Sequence, residues 1–205
     1  MKIQTYIFLI LSLIVLEGCL NMNSPEDQAN YIKCYNSFDS KLIDIIPNKI
    51  PNSFVSYGYS SPKYFFYDYA GMHITTKISD EDEYNKLREK YSEKAKAIKN
   101  SSDKCLIIIT TSDNELEEGV QGNFNCEQPI PIPQYAIFKP DGGKNNINRI
   151  KNLEIIVLDF QFTDILNSAD LTERKNLPEE LSKGYSKGVT INKNNMTIQK
   201  WVVVW

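Results

Sequence analysis

Hydrophobic and polar positions change period several times along this chain, and each change predicts an element. After Ser24, apolar side chains at Tyr31, Tyr35, Phe38, Leu42 and Ile45 recur at spacings of three and four, the period of one helical face. Ser24 is a good N-cap, Pro25 suits the first helical position, Glu26 and Asp27 complement the positive end, and Pro47 forbids continuation. The pattern predicts a helix over 24–46, with Cys34 beside its buried stripe. Between 51 and 79 the texture becomes alternating and aromatic, so 54–59, 64–69 and 73–78 read as strands of an antiparallel meander.

Helical spacing returns after Ser79-Asp80-Glu81-Asp82, a capping-box-like start, with Tyr84, Leu87, Tyr91, Ala95 and Ile98 as the buried stripe. Acids at 80–83 and Lys94, Lys96 and Lys99 behind them match the helix dipole. The unbroken β-branched run over 105–111 predicts a central strand covered on both faces. Residues 112–152 read as irregular. Within them, Pro129, Pro131 and Pro133 at alternate positions favour polyproline-II or a sheet edge. A buried strand follows over 154–160, then a short helix over 178–183 stopped by Gly184. The last element is a hairpin, 188–192 and 196–205, turning at Lys193-Asn194-Asn195. These elements predict an α+β fold, a mostly antiparallel sheet with two main helices packed on it, in a single domain over 28–205.

Composition changes this picture little. The chain has 205 residues, 41% hydrophobic and 24% charged, the make-up of an ordinary globular protein. A formal charge of −3 supplies no basic surface for nucleic acid. One His and four Cys, without His-Glu-x-x-His or Cys-x-x-Cys, give no metal set, and no cofactor is expected.

The N-terminus alters the picture more. A basic start, Met1-Lys2, precedes ten apolar-run residues over 7–16, about half of the ~20 that span a bilayer, so the segment reads as a signal peptide. Leu16-Glu17-Gly18-Cys19 follows, with Leu at −3 and Gly at −1, and Glu17 departing from the small or apolar residue usual at −2. This stretch resembles the lipobox of bacterial lipoproteins, in which the chain is cut before a Cys that carries diacylglycerol. The resemblance covers 1–19 alone and implies a signal peptide over 1–18, a lipid on Cys19, a short tether over 19–27 and a membrane as partner. Several acyl chains anchor a protein stably where one does not. Leu20 is not the Asp that resembles an inner-membrane retention signal, so the expected location is the cell envelope, at the outer membrane, on either face.

Candidate chemistry is sparse. His73 is the one base available to a Ser or Cys nucleophile, and at the start of a strand it reads as structural. Gly142-Gly143-Lys144 lacks the spacing of a phosphate loop, and the acidic stretch over 113–119 lacks that of a calcium loop. Asp159 and Asp164 are the carboxylate pair that a hydrolase would use. Five Tyr and two Phe fall within 57–69, and alternation sends some rings outward, making Tyr57, Tyr59, Tyr64, Tyr67 and Tyr69 candidate contacts for a protein or glycan. Cys105 and Cys126 are the nearest pair for a disulfide, which leaves Cys34 a free thiol.

Two functional expectations follow. The favoured one is a lipid-anchored envelope binding module, such as an immunity-type inhibitor of a toxin or a surface binder of protein or glycan. The alternative is a small envelope hydrolase working through a carboxylate pair. The scarcity of nucleophile, base and metal ligands favours binding over catalysis.

Overall fold

The computed structural model describes residues 24–61, 69–110, 122–137, 150–165 and 177–205. The expected strand over 64–69, except for Tyr69, and the segments over 1–23, 113–119 and 141–146 lie outside them. The fold is α+β, as the periodicity predicts. Strands β1 (Phe54–Ser60), β2 (Ala70–Lys77), β3 (Ala97–Asn100), β6 (Glu154–Gln161), β7 (Tyr185–Asn192) and β8 (Thr197–Val204) form a six-stranded sheet in the order β1-β2-β8-β7-β6-β3. Every pairing within it is antiparallel. Strands β4 (Leu106–Ile109) and β5 (Ile130–Pro133) pair in parallel as a separate two-stranded sheet.

Strand alternation assigns the two faces of the large sheet. On one face, helices α1 (Pro25–Tyr35) and α2 (Ser40–Ile43) bury Tyr31, Phe38, Leu42 and Ile43 against Met72, Ile74, Val202 and Val204. Farther along that face, α3 (Glu81–Ser92) lays Tyr84, Leu87 and Tyr91 over Ile156, Val189, Ile191 and Ile198. The other face carries the small sheet. Leu106, Ile108, Ile130 and Ile132 pack with Ile155, Val157 and Trp201, while Ile107 and Ile109 fill a neighbouring cluster with Val203 and Trp205.

Several elements differ from expectation. The predicted helix over 24–46 is broken in two. Ser37 Oγ donates to the Cys34 carbonyl, and Asp39 caps a fresh start by accepting from the Lys41 amide at 2.7 Å. The apolar stripe survives the break because Phe38 and Leu42 still face the sheet. Helix α3 stops at Ser92, so Lys96, Lys99 and Ile98 are not in its last turns. Lys96 N–H instead donates to the Val157 carbonyl, and Ala97–Asn100 adds an edge strand with Ile98 exposed.

The run at Leu106–Ile109 is fully buried, as its composition demands, but it belongs to the small sheet and is not central to the large one. Two layers bury a strand as completely as central placement does, and periodicity reads both alike. The proline stretch forms its partner: Ile130 N–H donates to the Cys105 carbonyl, while Pro131 and Pro133, lacking donors, alternate with it. The short helix expected over 178–183 is one 3-10 turn, Glu179–Leu181.

Candidate functional site

A groove of about 750 Å³ opens on the small-sheet face, beyond the end of that sheet. Its floor comes from residues of one parity: Gly58 on β1, Gly71, His73 and Thr75 on β2, Thr197 and Gln199 on β8, and Thr190 on β7. The turn Gln134–Ala136, directly after β5, forms a wall. Two glycines set the depth. A methyl on Gly71 would stand 2.8 Å from the Tyr135 hydroxyl and 2.9 Å from the Val202 carbonyl, and that hydroxyl donates to that carbonyl at 2.8 Å. Opposite Gly58, the His73 imidazole lies flat over the glycine, leaving no room for a side chain there.

His73 stacks on Tyr135 with ring centroids 4.3 Å apart. Burial pushes its pKa down to about 4, so it is neutral at pH 7. It sits within β2 rather than at the strand start, and its ring packing fits the structural role expected of it. None of the described side chains lining the groove is charged at that pH. Burial also drives the Tyr135 phenol well above its ordinary range, keeping it a neutral donor. Thr75, Thr197 and Gln199 make no side-chain hydrogen bond to another described residue, whereas Thr190 accepts from the Trp201 indole at 3.1 Å. The recess therefore offers uncharged hydroxyls and amides beside stacked rings.

Of the expected tyrosines, the described ones, Tyr57, Tyr59 and Tyr69, all contribute to the groove's lining, but their rings do not share one face. Tyr57 and Tyr59 pair with Ile74 and Met72, which places their rings on the helical face. There each meets Tyr31 edge-on at 6.2 Å. Tyr69 stands on the groove side, packed near Val203 and Trp205. Tyr64, Tyr67 and Cys19 lie outside the described residues. Residues of equal parity share a face, which is legible for Tyr57 and Tyr59. Which face the helices cover is not. Sequence reasoning missed Thr75 and Gln199, whose one signal is polar residues at alternate positions in otherwise apolar strands, and Tyr135, which lies on the turn after β5 and carries no such signal.

Each member of the carboxylate pair is engaged elsewhere. Asp159 accepts from the Tyr185 hydroxyl at 2.8 Å and forms an ion pair with Lys96. Burial raises its pKa, but the hydrogen bonds from Lys96 and Tyr185 and the charges of Lys96 and Lys187 outweigh this and hold it below the usual range. Asp164 pairs with Lys183 at 3.3 Å. Nothing in these contacts brings the two together to share a proton. Cys105 and Cys126 form a disulfide with Cα atoms 5.6 Å apart, and Cys34 is a buried thiol whose pKa burial pushes up to about 12, leaving it unreactive. Among the described residues no group of three His, Cys, Asp or Glu is placed to hold a metal, and no helix is long and apolar enough to cross a membrane. No protein family, curated protein or solved structure matches the chain.

Proposed function

We propose that this chain is a binding module of the cell envelope, tethered by lipid on Cys19, and that its groove takes a neutral glycan. The observation carrying this reading is the groove's lining. Amides and hydroxyls with no side-chain hydrogen bond to another described residue stand beside the stacked His73–Tyr135 rings, with no charge among the described side chains. A sugar presents hydroxyls to such donors and acceptors and a C–H face to a ring. A charged ligand would find no counter-ion among those side chains. The resemblance at Leu16-Glu17-Gly18-Cys19 supports the tether.

Calorimetric titration of the full-length protein in non-ionic micelles against neutral hexose and N-acetylhexosamine oligomers tests the groove. Saturable binding that weakens about tenfold in Gln199→Ala, with an unchanged unfolding midpoint, is expected. Absence of binding to every neutral oligomer, or binding indifferent to Gln199→Ala, overturns the assignment. For the tether, palmitate labelling in cells should be lost in Cys19→Ala. Labelling that persists in that variant contradicts it.

A further inference from the structure

The opposite face of the same sheet holds a recess of reversed character. Between the segment following α2 and the end of α3 lies a cleft of about 770 Å³, lined by Lys90, Lys94, Lys96, Lys187 and Lys200, with Asp44 and Asp159 as its acids. Five cations against two anions concentrate positive charge in a chain whose net charge is −3. A β-bulge takes part in building it. Register shifts between Val157 and Asp159, so these two residues, of equal parity, face opposite sides, and Asp159 comes to lie opposite Lys187 on the cleft side.

Two of the lysines have structural roles. Lys187 donates to Asp44 at 2.8 Å and to the Lys41 carbonyl at 2.6 Å, tying α2 to the sheet. Lys96 pairs with Asp159. The other three, Lys90, Lys94 and Lys200, have no acidic partner among the described residues. The C-terminal dipole of α3 accounts for Lys90 in its last turn. It does not account for Lys200, a half-buried lysine on the sheet floor between Ile198 and Val202. Burial, then repulsion from Lys90, lowers its pKa. Packing does not require a half-buried lysine without an acidic partner here, since a floor position between two apolar clusters would accept Leu or Met.

We propose that this cleft is a phosphate-binding site, in which Lys90, Lys94 and Lys200 neutralise a ligand carrying more than one negative charge. Lysine suits the task as a mobile point charge with three donors, able to follow the oxygens of a phosphate. Phosphate relieves the repulsion between Lys90 and Lys200. The site is separate from the groove and stands whether or not a glycan binds there.

Inorganic pyrophosphate is the probe, titrated calorimetrically into the full-length protein in non-ionic micelles. One-to-one binding is expected, weakening as salt rises from ~50 to ~200 mM. Lys200→Gln and Lys90→Gln should each weaken it about tenfold, while Lys104→Gln, at an exposed lysine outside the cleft, leaves it unchanged. Urea unfolding guards against misfolding: the Lys200→Gln midpoint should not fall. Nanodiscs with and without phosphatidylglycerol separate the sources, since a lipid headgroup as ligand would compete with pyrophosphate through Lys200 and a free phosphate would meet no competitor. Absence of saturable pyrophosphate binding, or equal losses in Lys200→Gln and Lys104→Gln, overturns the proposal.

Discussion

Gln199 and Lys200 are neighbours in sequence, yet one lines a neutral groove and the other a cationic cleft. The two recesses are about equal in volume, roughly 750 and 770 Å³, and share strands β7 and β8. They differ in what covers each face of the sheet. Helices leave the cleft between them, and long lysine side chains reach into it with apolar stems against the core. The small sheet stops short of the groove, where threonine and glutamine suffice to satisfy a half-open floor. Strand alternation thus writes two unrelated chemistries on a single β-strand, and a change at one residue should leave the other face intact.

The largest expected effect removes that independence. Trp201 is fully buried between the sheets and donates to Thr190 on the groove floor. Trp201→Ala should cost about 3–5 kcal/mol in urea unfolding and weaken both sites together. A loss confined to one site would show that the faces do not share a core. Reduction of Cys105–Cys126, which are 21 residues apart in sequence, should cost about 3 kcal/mol. It loosens the small sheet and the wall at Tyr135, so glycan binding should suffer while pyrophosphate binding persists. Equal losses would contradict the separation.

Acid should also distinguish the faces. His73 has a folded pKa near 4 against 6.5 in the unfolded chain, so unfolding takes up a proton between those values. Its contribution is fully present above pH 6.5 and is lost as pH falls to about 4, on the order of 3 kcal/mol. The difference in stability between the wild type and His73→Phe, measured across that range, should show this slope. A flat difference would mean that His73 is not held neutral by burial. The smallest effect is at the cleft floor. Because burial and Lys90 lower the Lys200 pKa, the unfolded chain binds the proton more tightly, and Lys200→Met should unfold at a urea concentration no lower than wild type. A marked fall would make Lys200 a structural residue.

Much of the fold was legible because its signals are local. Ser24 and Asp27 form a reciprocal cap, Asp80 accepts from the Glu83 amide at 2.8 Å, and the β7–β8 hairpin follows its turn residues. Other features were not local. The stripe from Tyr31 to Leu42 keeps its period through a break that only the capping by Asp39 reveals. Ala97–Asn100 carries too few apolar residues to announce an edge strand. Both recesses draw on residues far apart in sequence: Lys90 meets Lys200 through the packing of α3 on the sheet, and Thr75 meets Gln199 through strand order. The tyrosines attracted notice by their density, but coverage by α1 decides which rings are free.

If both proposals hold, one sheet carries two independent binding faces. The direct measurement is a single nuclear magnetic resonance titration on labelled protein, reading the Gln199 side-chain amide and the Lys200 ammonium while neutral N-acetylhexosamine oligomer and then pyrophosphate are added. The oligomer is expected to shift Gln199 alone, and pyrophosphate then to shift Lys200 alone. Both signals responding to one ligand, or neither responding to its own, would contradict it.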